Sequence, residues 1–201
     1  MTCLFLNNRF LIVDSITSSE GIPHEVEKVD CGITANGIQF KITGAGLVWH
    51  LNYVLQKMQD VAIDINQRTF QLHMESPDKN TACIVLLWDS ATTQWIPYES
   101  IVGSANLIFV RLNQYGLERA PLNAGSYRDS CVAAFKLITT WYDYSQYSPP
   151  DMAALITILI GEELGHWSVQ PLTSFEGYIM EPNYNVINKL KDGFDELIAR
   201  F

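Results

Sequence analysis

Across its first 112 residues the chain carries one long stretch of helical periodicity, and the apolar residues around it come in short β-type runs. Leu47, Leu51, Val54, Leu55, Met58 and Val61 recur at helical spacing after the small-residue turn Thr43-Gly44-Ala45-Gly46. Before that turn, TCLFL (2–6) and RFLIV (9–13) read as two strands around a tight Asn-Asn turn. Asp14 ends the second strand, the polar stretch that follows reads as a loop, and 25–31 with 36–42 forms another strand pair. After the helix, the spacing predicts strands from about Thr69 to Met74, through ACIVLLWDS, at 94–99 and from Ile101 to Leu112. A chain that places four strand-type segments before its first helix is not built on strict strand–helix alternation, so a Rossmann domain is excluded.

The second half is more helical. A helix is expected from Tyr127 to Tyr142, with Cys131, Phe135, Ile138 and Tyr142 on one stripe. A second is expected over 149–164, with Ser148 as its cap and Asp151 three residues on. Strand character returns at WSVQPL and SFEGYIM, and Val186, Leu190, Phe194, Leu197 and Phe201 mark an amphipathic helix over 182–201. No linker, repeat or low-complexity segment divides the 201 residues, so one layered α/β domain over 1–201 is expected.

Charge and cysteine content narrow the function classes. The net charge is -9 and the 22 acidic residues are scattered, which argues against a nucleic-acid partner. The longest apolar runs are too short to span a bilayer, and no signal-peptide pattern opens the chain, so a cytoplasmic protein with no membrane partner is expected. Cys3, Cys31, Cys83 and Cys131 form no CxxC pair, and the four histidines lack metal-ligand spacing, so no metal or cofactor is expected. His166-Trp167-Ser168 matches half of a two-histidine phosphoesterase pattern, but no second His-x-Ser/Thr exists. Phosphate-loop and dinucleotide glycine motifs are also absent.

Three segments together resemble the proteasome β-subunit family and its bacterial relative, the peptidase core of the ATP-dependent two-component protease. The first is Thr2 followed by a strand pair ending in Asp14-Ser15, then Thr17 and Gly21. The second is Lys28 on the next strand-like stretch, then the run ITGAG into the long helix. The third is LNAGSYRDSCVAAFKL, with Gly125-Ser126, followed by SPPDMAALITILI. The resemblance runs through residues 2–175 and implies a four-layer αββα sandwich of two mainly antiparallel sheets, of the N-terminal nucleophile hydrolase type. The C-terminal helix would be an addition to that fold.

The same resemblance implies a set of roles. Thr2 would be the nucleophile once Met1 is removed, with its own α-amine, titrating at about pH 8, as general base. Lys28 would lower the pKa values of that amine and hydroxyl, and Asp14 would hold Lys28. The backbone N–H near Gly46 would stabilise an oxyanion, and Ser126 and Ser168 would orient the amine and its proton path. The implied activity is that of a threonine-type peptidase or amidohydrolase acting on a peptide or small amide in a homo-oligomer. Val169 stands after Ser168 where the family has glycine, and no acid lies directly beside Ser168. The alternative is therefore a catalytically inactive homologue acting as a structural or interaction subunit.

Overall fold

The computed structural model describes residues 3–19, 22–74, 77–78, 81–103, 105–113, 122–125, 148–160 and 165–181, together with Asn185, Asn188 and Asp192. The expected helix over 127–142 lies outside the described residues, as does nearly all of the expected C-terminal helix. Asn185, Asn188 and Asp192 are helical and exposed.

The described strands form two large antiparallel sheets and one hairpin. One sheet holds Cys3–Leu6 (β1), Phe10–Asp14 (β2), Leu122–Gly125 (β11), Trp167–Pro171 (β12) and Tyr178–Met180 (β13), in the order β11-β1-β2-β12-β13. The six-stranded sheet holds Asp30–Ile33 (β5), Gln39–Ala45 (β6), Thr69–His73 (β7), Ala82–Asp89 (β8), Gln94–Val102 (β9) and Asn106–Arg111 (β10). Its order is β5-β6-β8-β9-β10-β7. Ile16–Ser19 (β3) and Ile22–Glu25 (β4) make the hairpin.

Strand β8 shows how the layers assemble. Cys83, Val85 and Leu87 point into a core with Val54 and Met58 of helix α1 (Val48–Asp60), while Ile84 and Leu86 join Leu4, Leu6, Leu11 and Val13 of the other sheet. Side chains alternate along a strand, so a strand buried on both faces reads as an unbroken apolar run, which is why ACIVLLW gives so strong a signal. The two sheets therefore pack face to face, and α1 covers the far face of the six-stranded one. Helix α2 (Pro149–Ile160) buries Ala153 and Ala154 and touches β2. Its cap is the expected one, with Ser148 Oγ and Ser148 N both donating to Asp151 Oδ2, at 2.6 and 3.1 Å.

Three boundaries depart from the expectation. The polar stretch after Asp14 is the β3–β4 hairpin rather than a loop. The expected strand over 25–31 is broken, because β4 ends at Glu25 and β5 begins at Asp30. The residues between turn Lys28 toward Asp14 and bury Val29 between the sheets, a tertiary demand that local pattern does not carry. The small-residue turn is also placed differently: β6 continues through Ala45 and the helix begins at Val48. Pairing of Thr43, Gly44 and Ala45 with Ile84, Cys83 and Ala82 holds those residues extended.

Candidate active site

The end of β2 gathers the charged residues singled out in the sequence. Asp14 is the last residue of β2 and its side chain is 1% exposed. Its Oδ1 accepts from the backbone N of Cys3, and its Oδ2 accepts from Ile16 N at 3.2 Å and from Lys28 Nζ at 2.8 Å. Lys28, 9% exposed, also donates to the Ile16 carbonyl. Burial pushes the Asp14 carboxyl above its ordinary range, opposed by the Lys28 charge and by the backbone donors. Burial likewise draws the Lys28 ammonium below the ordinary lysine range, opposed by Asp14. The pair is a desolvated ammonium and carboxylate, anchored directly to the residue after Thr2.

The strand ladder adds a second approach. Gly125, the residue before Ser126, pairs with Cys3. Thr2 and Ser126 themselves lie outside the described residues. The neighbours through which they are attached are thus brought side by side.

Gly46 sits at the β6–α1 junction with φ of 138°. A Cβ there would stand 2.3 Å from Thr81 Oγ1 and 2.7 Å from Thr81 Cα, so the position requires glycine for both conformation and space. Thr81 Oγ1 accepts from Leu47 N, serving the helix end that has no side-chain cap of its own. Gly46 lies against Thr81, whereas Asp14 and Lys28 bond to each other and to Cys3 and Ile16.

Ser168 is held differently. It pairs with Val13 across the ladder, one register step from the Trp167–Asp14 pair. Its Oγ accepts from Gln170 Nε2 at 2.9 Å, and Gln170 Oε1 accepts from Lys41 Nζ at 2.6 Å. The structure therefore joins Ser168 to Lys41 rather than to the Asp14–Lys28 pair. Neither Lys41 nor Gln170 stands among the residues that the sequence pattern points to. The available signal is a lone lysine between Phe40 and Ile42 in a strand whose neighbours on both sides face a core.

A third polar group borders the first. Glu25 Oε1 accepts from His166 N at 3.2 Å and from Ser15 Oγ at 3.4 Å, and Glu25 Oε2 lies 3.3 Å from His166 Nδ1. The backbone N–H of His166 draws the Glu25 carboxyl below its ordinary value, outweighing the opposing effect of desolvation. Among the described residues no group of three or more His, Cys, Asp and Glu could hold a metal ion, and no helix is long and apolar enough to cross a membrane.

No protein-family model and no curated protein sequence matches the chain. Solved structures do. The chain is similar to Anbu (ancestral beta-subunit) from Yersinia bercovieri, with TM-score 0.61 at 14% identity, covering 100% of this chain and 97% of that one. Anbu from Hyphomicrobium sp. strain MC1 gives TM-score 0.59 at 12% identity, covering 100% and 97%. The helical assembly of the Anbu complex from Pseudomonas aeruginosa gives TM-score 0.59 at 11% identity, again covering 100% and 97%. Near-complete coverage of both chains at such low identity is a likeness of fold, and this chain shares the fold of the Anbu structures.

Proposed function

We propose that the chain is a proteasome-like threonine-type peptidase or amidohydrolase, with the four-layer αββα arrangement of that fold. The observation that carries the reading is the buried Asp14–Lys28 pair, hydrogen-bonded to the residue that follows Thr2. Removal of Met1 gives Thr2 the free amine the mechanism needs. The amine takes the hydroxyl proton as Oγ attacks the substrate carbonyl, and returns it to the leaving amine. Lys28, carrying a positive charge in a desolvated setting, lowers the cost of the alkoxide, and Asp14 keeps Lys28 in place. Ser126, which follows the Gly125 paired with Cys3, would orient the amine. Gly46 would supply the oxyanion N–H.

The test combines intact mass of the native protein with a mechanism-based probe for N-terminal threonine. Loss of Met1 and labelling that disappears in Thr2→Ala are expected. A protein that wholly retains Met1, or labelling that survives the substitution, removes this mechanism.

One observation favours a second reading, that of an inactive subunit on the same fold. The hydrogen bond of Ser168 goes to Gln170 and through it to Lys41, not to the Asp14–Lys28 pair. Under either reading we propose self-assembly. The support is the exposed apolar group Leu47, Val48 and Trp49, 48%, 68% and 58% exposed, on a fold whose Pseudomonas relative forms a helical assembly. Static light scattering should report an oligomer for the wild type and a smaller species for Trp49→Glu. A wild-type protein that stays monomeric at high concentration ends the assembly reading.

A further inference from the structure

The Ser168–Gln170–Lys41 chain lines a cleft of about 560 Å³, a size common among small-molecule sites. It opens between β5 and β13, which end their two sheets in the described strand order. Lys41 is 8% exposed and belongs to the inward face of β6, where apolar residues are the norm. Its ammonium has three N–H bonds and no lone pair. Two are taken by Gln170 Oε1 at 2.6 Å and the Phe175 carbonyl at 2.8 Å, and the Trp95 ring lies beneath, 4.7 Å from Nζ.

The polar groups at the floor of the cleft are left with donors. Lys41 keeps one N–H, Gln170 Nε2 keeps one after serving Ser168, and the Ser168 hydroxyl accepts from Gln170, so its own proton is available. Three convergent donors around a buried cation call for an anionic acceptor. The walls are apolar, and Ile33, Tyr178 and Ile179 are 57%, 47% and 51% exposed at the mouth, while Phe175 stacks on Trp95. Glu27 and Glu176 also line the cleft, and their charge disfavours a doubly charged phosphate. A single negative charge on an apolar body satisfies all three features.

We propose that this cleft binds a monocarboxylate borne on an apolar group, with the carboxylate on Lys41, Gln170 and Ser168 and the apolar group against Phe175, Tyr178 and Ile179. A free small acid and the C-terminus of a peptide share that chemistry. The site is built from Lys41, Gln170 and Ser168 and does not depend on hydrolysis.

The test is titration calorimetry on the full chain with 3-phenylpropionate, its carboxamide and phenyl phosphate, and with a short peptide ending in Phe as free acid or amide. Saturable binding of an acid, at least about tenfold tighter than its amide and than phenyl phosphate, is expected, a difference of about 1.4 kcal/mol. Lys41→Met should remove that preference, and Ile179→Asp, at an exposed position, should weaken every acid without altering the fold. Cys31, exposed on the cleft wall, should be alkylated more slowly when the acid is bound. Tighter binding of the peptide acid assigns a peptide terminus, and tighter binding of phenylpropionate assigns a small metabolite acid. Equal affinity for acid and amide, or no saturable binding of either acid up to about 10 mM, overturns the site. That comparison uses the wild-type protein alone, so it decides the matter even where Lys41→Met does not fold.

Discussion

Asp14 illustrates how much one buried charge depends on its partner. Taking both ions out of water costs several kcal/mol each, and only mutual attraction plus the Cys3 and Ile16 N–H donors offset it. Asp14→Ala should strand a buried ammonium and cost about 3–5 kcal/mol in urea denaturation. A loss below about 1 kcal/mol would mean that Lys28 relaxes into water instead. Cys83 provides a pH prediction. Burial in the α1 core pushes its thiol up to about 12, so the folded state keeps a proton that the unfolded chain releases near pH 9. Its contribution is complete below pH 9 and is lost as pH rises toward 12, so stability falls across that window. Cys83→Ala should flatten that alkaline limb. Peptide mapping after brief alkylation of the native protein should find Cys31 labelled and Cys83 untouched. At this scale the end of the strand at Asp14 is legible in the sequence, because a charge that closes an apolar run carries its own signal, whereas the pairing of Asp14 with Lys28 is implied only by the family resemblance. The destination of Ser168 is not legible, since Lys41, which it reaches through Gln170, stands far away along the chain.

Helix α1 follows its sequence periodicity along its length and departs from it at its start. Val54 and Met58 fall on the buried stripe because 3.6-residue periodicity is a local property. Met58→Ala should cost about 2–5 kcal/mol, read as a lowered urea midpoint with unchanged slope. The start of the helix is decided elsewhere, by pairing of Thr43–Ala45 with β8 and by the Thr81 hydroxyl on Leu47 N. Gly46→Ala should lose about 1–3 kcal/mol from conformation alone, with more from the clash against Thr81. Gly37→Ala makes a useful contrast, because nothing lies within 4 Å of that position and only its φ of 85° resists the change. A thermal melt that ranks Gly37→Ala as the more damaging would contradict a steric role for Thr81. The cap at Ser148 is legible in full, because a capping box is contained in four consecutive residues.

The two sheets are joined by one shared core, in which Leu4, Leu6, Leu11 and Val13 meet Ile84, Leu86 and Trp95. Neither sheet can bury its inner face alone, so the described body should unfold as a unit. Tryptophan fluorescence, with Trp95 in one sheet and Trp167 in the other, and far-UV dichroism should give coincident denaturant transitions. Separated transitions would show that the sheets melt independently. Leu86→Ala, at the interface, should shift both probes together by about 2–5 kcal/mol.

By itself the sequence determined the strand-rich first half, the single early helix and the cap at Ser148. Each of these is written in residues close together or in a short-range period. Only the tertiary structure decided that the stretch after Asp14 is a hairpin, that residues 26–29 leave the strand, and that Ser168 joins Lys41 in a cleft between two sheet edges. The last two outcomes rest on contacts between segments distant in the chain, where the free energy comes from burial and hydrogen bonds that no local window contains.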